Sequence, residues 1–263
     1  PAPGPWNMAV DEAILESIGA GECPSTLRLY AWSPSCLSLG YAQPFSDVDH
    51  RALSSRGWDI VRRITGGRAI LHADELTYAV ISPYNDPRLA GSLLESYRRL
   101  SLALLQALIH LGLPANAFPK PKTEDADPPN QKPVCFEVPS NYEITVHGKK
   151  LVGSAQARKK QGILQHGTLP LYGDLTRIIQ VLDFPNGTSR AQAQASLLSR
   201  AANIETQLGA PISWEDAAEA FRQGFKETLN ISFEDSTLSS AELARVERLV
   251  KGKYAHPSWI ERI

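Results

Sequence analysis

The chain has 263 residues, of which 43% are apolar and 21% charged, with a formal net charge of −1. That is enough length for a substantial buried core, and the charge balance gives no broad field for holding a nucleic-acid backbone. No run of about 18 apolar residues is present to span a membrane.

The first residues, "PAPGPWNMAVDEAIL", lack the basic start and apolar stretch of a secretory signal. Cys23, Cys36 and Cys135 are odd in number and widely spaced, which fits a reducing cytosol and predicts a cytoplasmic protein. Neither a CxxC pair nor an HxxxH motif occurs, so no structural zinc is expected.

Apolar residues at helical spacing predict a helix over Trp6–Ile18, stopped by "GAGECP". "TLRLYAW" and "CLSLGY" alternate as strands across a Ser-Pro turn. Ser46 or Asp47 is placed to cap a short helix through Ser54, and "WDIVRR" reads as the next strand. "ELTYAVIS", Glu75–Ser82, is a strand with Leu76, Tyr78 and Val80 on one face, and residues 92–113 carry a leucine-lined helix.

The composition then shifts. "PANAFPKPKTEDADPPNQKP" is too rich in proline and charge to build a core and reads as a long loop. "NYEITVHGKKLVGSAQAR" reads as a hairpin turning at His147-Gly148, and "GILQHGTLPL" as a further strand. From Asp174 onward the pattern is helical, over 175–182, 213–229 and 239–251. Strands before helices give an α+β protein, not a regularly alternating one.

Several segments mix reactive residues with backbone signals. "RRITGGRAILH", 62–72, places Arg63, Gly66, Gly67 and His72 close together; paired glycines allow backbone N–H groups to approach a ligand, but taken alone Gly66-Gly67 reads first as a hairpin turn. It is neither a Walker nor a GxGxxG sequence. Cys135 ends the Pro-rich loop just before a strand, whereas lone cysteines are usually inert apolar residues. Lys150 opens an apolar strand with Gly153 and Ser154 behind it; it is either solvated or aimed into a cleft, where an ammonium can depress a thiol pKa. His166, in "LQHGTLPL", reads alone as a structural histidine. "ARKKQG" is a local basic cluster, and Cys23 and Cys36 read as structural.

Together, "RRITGGRAILHADELTYAV", "CFEVPSNYE", "GKKLVGSAQARKKQGILQHGTLPL" and "NMAVDEAIL" resemble the biotin/lipoate protein ligase family over essentially the whole chain. The "VCFEVPSNYE" block resembles its cysteine-dependent octanoyltransferase branch. The resemblance implies a mixed, mainly antiparallel sheet with packed helices, like that of class II aminoacyl-tRNA synthetases and biotin ligases. A catalytic acyltransferase domain over 1–210 and a C-terminal helical extension over 211–263 follow from it.

The implied activity is transfer of an octanoyl group from octanoyl-acyl carrier protein to a lysine of a lipoyl domain, such as that of the glycine-cleavage H protein, in lipoate biosynthesis. The resemblance makes Cys135 the nucleophile of a thioester intermediate and Lys150 its catalytic partner. It makes Arg63, Gly66, Gly67, His72, Tyr78, Gly153, Ser154, Gln156 and His166 substrate-binding residues. No metal and no cofactor is implied beyond the acyl-phosphopantetheine or octanoylated lipoyl domain as substrate, and a monomer is expected. Leu71, Leu76, Tyr78, Val152 and Ala155 are the expected acyl slot. Lipoyl-domain amidotransfer and ATP-dependent lipoate ligation are the alternatives within the same family.

Overall fold

A computed structural model describes residues 1–118 and 143–263. The chain opens with a helix, α1 (Gly4–Gly19), which buries Met8, Ala13, Ile14 and Ile18. Strands β1 (Thr26–Tyr30) and β2 (Cys36–Leu39) follow. The short helix α2 spans His50–Ser55, and its N-cap is Asp49, whose carboxylate accepts from the Ala52 N–H at 2.9 Å. Ser46 and Asp47, expected as caps, instead sit in a 3-10 turn over Phe45–Asp47.

Next come β3 (Asp59–Arg62), β4 (Ile70–His72) and β5 (Glu75–Ser82), then helix α3 (Leu93–His110). Ser92 and Glu95 start α3 with a reciprocal capping box. Strands β6 (Asn116–Phe118), β7 (Glu143–Val146), β8 (Lys149–Lys159) and β9 (Gly162–Pro170) complete the strand set among the described residues. The β7–β8 turn falls at His147-Gly148, both at positive φ, as the sequence predicts.

The remainder is helical, with a 3-10 segment over Leu175–Val181 followed by α4 (Gly187–Arg200) and α5 (Ile204–Leu208). Helices α6 (Trp214–Leu229), α7 (Ser240–Leu249) and α8 (Pro257–Ile260) end the chain.

The strands form an antiparallel six-stranded sheet ordered β1-β5-β9-β8-β7-β6 and a three-stranded sheet ordered β3-β2-β4. In the small sheet β2 pairs parallel with β3 and antiparallel with β4. The architecture is therefore α+β with a mainly antiparallel sheet.

Strand parity decides what each face of the large sheet covers. Leu76, Tyr78 and Val80 of β5 join Leu100 and Leu104 of α3 and Phe221 and Phe225 of α6 in one core. Ala79 and Ile81, one residue out of phase, join Met8 and Ile14 of α1 and Val246 and Leu249 of α7 in a second. β5 is buried along its whole length because both faces are covered. Helices beyond residue 210 thus complete both cores, α6 against α3 and α7 against α1.

A third apolar cluster, with Leu37, Leu39, Ile178, Val181 and Leu197, backs the small sheet. Among the described residues, no helix is long and apolar enough to cross a membrane.

Candidate active site

The site lies where the second face of the large sheet meets the small sheet. On that face Glu75 and Thr77 project from β5, His166 and Thr168 from β9, and Gly153 and Ala155 from β8; the registers pair Ala155 with His166 and Gly153 with Thr168.

Glu75 is 5% exposed and accepts from His72 Nδ1 at 2.7 Å, from Thr77 at 2.5 Å and from Thr168. His72 Nε2 in turn accepts from the Ser38 hydroxyl at 2.6 Å, whose oxygen receives Arg63 Nη1 at 2.6 Å. The indole of Trp32 stacks on His72 at 4.0 Å between centroids and donates to Thr77 at 2.8 Å. Each donor in this chain has one acceptor, so the imidazole is fixed in plane and in tautomer.

A second chain runs alongside. Thr65 donates to His166 Nε2 at 2.7 Å, and His166 Nδ1 faces Asp11 of α1 at 3.4 Å. Burial pushes His166 below the ordinary histidine pKa, outweighing the opposing pull of Asp11. Burial alone would raise Asp11, but the Arg28 guanidinium at 2.7 Å, with help from His166, holds it below the usual carboxylate range. His166 is therefore neutral beside a charged Asp11–Arg28 pair.

The segment between β3 and β4 is not a hairpin, since both strands pair with β2 and the glycines cross over its end. Arg63 holds the crossover by donating to the carbonyls of Gly66 at 3.1 Å, Arg68 at 3.0 Å and Ser38 at 2.7 Å. Gly67 has φ +94°, which requires glycine, and it rests on Gly40, where a Cβ would fall 1.9 Å from the Gly67 carbonyl oxygen. A Cβ on Gly66 would meet open space, so that position faces the cleft. Arg62 is fully buried and donates to the carbonyls of Gly40, Gln43 and Ile260.

Lys150 reaches this face through a fault in the ladder. Ile144 pairs with Val152, but Thr145 pairs with Lys150, so β8 carries an extra residue there. Regular alternation puts Lys150 on the α3–α6 side with Val152. The bulge shifts the parity by one and gives Lys150 that of Gly153 and Ala155; it is 5% exposed and is not among the residues that line the apolar pocket below.

Two hollows flank the glycine crossover. One is small, about 20 Å³, and mostly apolar, bounded by Met8, Tyr30, Trp32, Ile70, Gly153 and Ala155, with Arg63, His72, His166 and Thr168 around it. The other is an open cleft of about 380 Å³ along Gly66, Gly67 and Gln156–Lys159.

Of the candidates, Arg63, His72, Gly153, Ser154 and His166 thus meet at the apolar pocket, and Gly66, Gly67 and Gln156 at the cleft. Cys135 lies outside the described residues. Tyr78 does not line the pocket. Its ring packs on Phe221 and Phe225 across the sheet, its hydroxyl lies 2.7 Å from Ser154 Oγ, and burial pushes its pKa up to about 12. Leu76 and Val152 share that core, and Leu71 borders a groove beside Ile178, so of the expected slot residues only Ala155 lines the pocket.

Burial raises the thiol of Cys36 well above the ordinary range and that of Cys23 to about 11, in keeping with structural roles. Among the described residues, no group of His, Cys, Asp or Glu is set to hold a metal. Asp11, Ser38, Thr65 and Glu75 escape the sequence reading. Their one signal is a polar residue at a position whose helical or strand phase is otherwise apolar, as Asp11 is within α1.

Residues 3–226 match the family described as the lipoyl protein ligase A/B catalytic domain. An octanoyltransferase LipM of Kyrpidia tusciae is 42% identical over 97% of this chain and 93% of its own length. One from Brevibacillus brevis is 40% identical over 96% and 93%. Among solved structures, a bipartite lipoate protein ligase of Thermoplasma acidophilum superposes with a TM-score of 0.78 at 24% identity, covering 98% of this chain and 91% of that one. A lipoate-protein ligase A bound with ATP gives 0.77 at 25% identity, over 98% and 93%. The fold is that of a lipoate protein ligase, and this chain belongs to the lipoyl protein ligase A/B catalytic domain family. Within it, the chain falls with the octanoyltransferases.

Proposed function

We propose that this acyltransferase moves an octanoyl group from octanoyl-acyl carrier protein to a lysine of a lipoyl domain, such as that of the glycine-cleavage H protein, through a thioester on Cys135. The reading is supported most by the octanoyltransferase relatives, and the bulge in β8 gives Lys150 the same strand parity as Gly153 and Ala155.

The Cys135 thiolate attacks the donor's thioester carbonyl, the carrier's thiolate leaves and is protonated, and the octanoyl group rests on Cys135. The acceptor's amine then attacks, loses its proton and displaces the Cys135 thiolate, leaving an amide. A thioester and an amine run downhill to a thiol and an amide, so no ATP is consumed. A free thiol is mostly protonated at neutral pH, and each unit by which Lys150 lowers its pKa corresponds to about 1.4 kcal/mol.

The mostly apolar lining suits the chain, since each methylene buried contributes about 0.8 kcal/mol. Backbone N–H groups of the Gly66-Gly67 crossover are the proposed oxyanion donors, a contribution typically of about 10²–10³ in rate.

The test is H-protein octanoylation followed by mass spectrometry without ATP. The expected result is a modified lysine with octanoyl-carrier protein as donor. AMP release from ATP and free lipoate, untouched by Cys135→Ala, would overturn the reading in favour of a ligase. Octanoyl-H protein acting as the sole effective donor would make the enzyme an amidotransferase.

A further inference from the structure

The open cleft is the more strongly basic of the two hollows, with three cations in its lining against Arg63 alone in that of the acyl pocket. Its described lining includes Arg68, Arg158 and Lys159 and no carboxylate. Its edge is extended by Tyr41, which is 36% exposed and carries Lys159 Nζ at 5.1 Å and the Arg262 guanidinium at 4.0 Å from its ring centroid. Arg262 also lies 4.8 Å from the Trp259 ring, beside Lys253 at 4.2 Å.

Arg158 is committed to the fold, since it donates to the carbonyls of Gly91, Leu89 and Ser92. Lys159 and Arg262 lie on aromatic faces, an arrangement that holds a cation in place while leaving its N–H groups available to an anion.

Resting on the transferase reading above, we propose that this rim, with Lys159 and Arg262 as its principal charges, receives the phosphodiester of the donor's phosphopantetheine arm. Both hollows border strand β8, the acyl pocket at Gly153–Ala155 and the cleft at Gln156–Lys159. From Gly153 to Lys159 the strand advances roughly 20 Å at about 3.3 Å per residue. That is comparable with an extended phosphopantetheine arm, which carries its thioester at one end and its phosphodiester at the other. The acceptor reacts through a lysine, a cation that a basic rim repels, so the charge pattern selects the donor.

The test compares octanoyl-pantetheine, octanoyl-phosphopantetheine and octanoyl-carrier protein as donors to wild type, Lys159→Gln and Lys159→Gln/Arg262→Gln, with thermal melts confirming that the variants fold. The wild type is expected to favour the phosphorylated small donor over octanoyl-pantetheine by about tenfold in kcat/KM, and the double variant to lose that preference through KM. An unchanged ratio overturns the proposal. So does a loss confined to octanoyl-carrier protein, which would place the contact on the carrier's protein surface, or a loss appearing in the acceptor's KM. If no donor acylates the wild-type enzyme, the transferase reading fails; if all three do at equal efficiency, only the arm site fails.

Discussion

His166 illustrates how one residue couples folding to pH. Its imidazole is boxed in by Thr65 and Asp11, and burial, with the positive field of Arg63, keeps its folded-state pKa below the ordinary value. A depressed folded-state pKa means the unfolded chain binds the proton more readily. The stabilisation is therefore complete above the unfolded value of about 6.5 and is lost as pH falls from there through the folded pKa. Asp11, also depressed, adds a loss of the same sign only below about pH 3.9. Melting temperatures recorded from pH 7.5 to 5 are expected to fall, and the fall to shrink in His166→Gln. Equal slopes for the two proteins would show that His166 does not set this dependence.

Among the elements, the α3–α6 contact is a close backbone approach that the sequence conceals. A Cβ on Gly224 of α6 would lie 2.5 Å from the Ala107 nitrogen and 2.7 Å from the Ala103 oxygen of α3. Gly224→Ala gains about 1 kcal/mol of helix propensity. Backbone atoms cannot rotate aside, however, and overpacking costs about 1–3 kcal/mol. The clash prevails, and thermal unfolding is expected to move down by several degrees. An upward shift would contradict the packing described.

Element type was largely legible because amphipathic periods and caps are local. Ser92 and Ser213 start helices α3 and α6 as their sequences imply, and β5 has the predicted bounds. Helix α4 left little trace because it buries only Leu197, so its apolar stripe is too thin to read. The face of a strand residue was less legible. Tyr78 was expected in the slot but shares the parity of Leu76 and Val80, and that parity faces α3 and α6. For Lys150, parity itself misleads, because the bulge appears only when β7 is paired with β8.

Across the whole molecule, the site is assembled from α1, both sheets and the crossover between them. Its motif residues could be recognised singly, while their juxtaposition depended on long-range pairing: His72 meets Glu75 through a tight turn, but Thr65 meets His166 across the two sheets. The buried polar chains hold this assembly in one geometry, and the apolar pocket between them is what the proposed acyl-enzyme would fill. The direct measurement is the intact mass of the enzyme after mixing with octanoyl-carrier protein, for wild type, Cys135→Ser and Lys150→Met. A gain of one octanoyl group by the wild type, none by Cys135→Ser, and a rate of gain at least about tenfold lower in Lys150→Met is the predicted result. Full acylation of Cys135→Ser, or an unchanged rate in Lys150→Met, would contradict it.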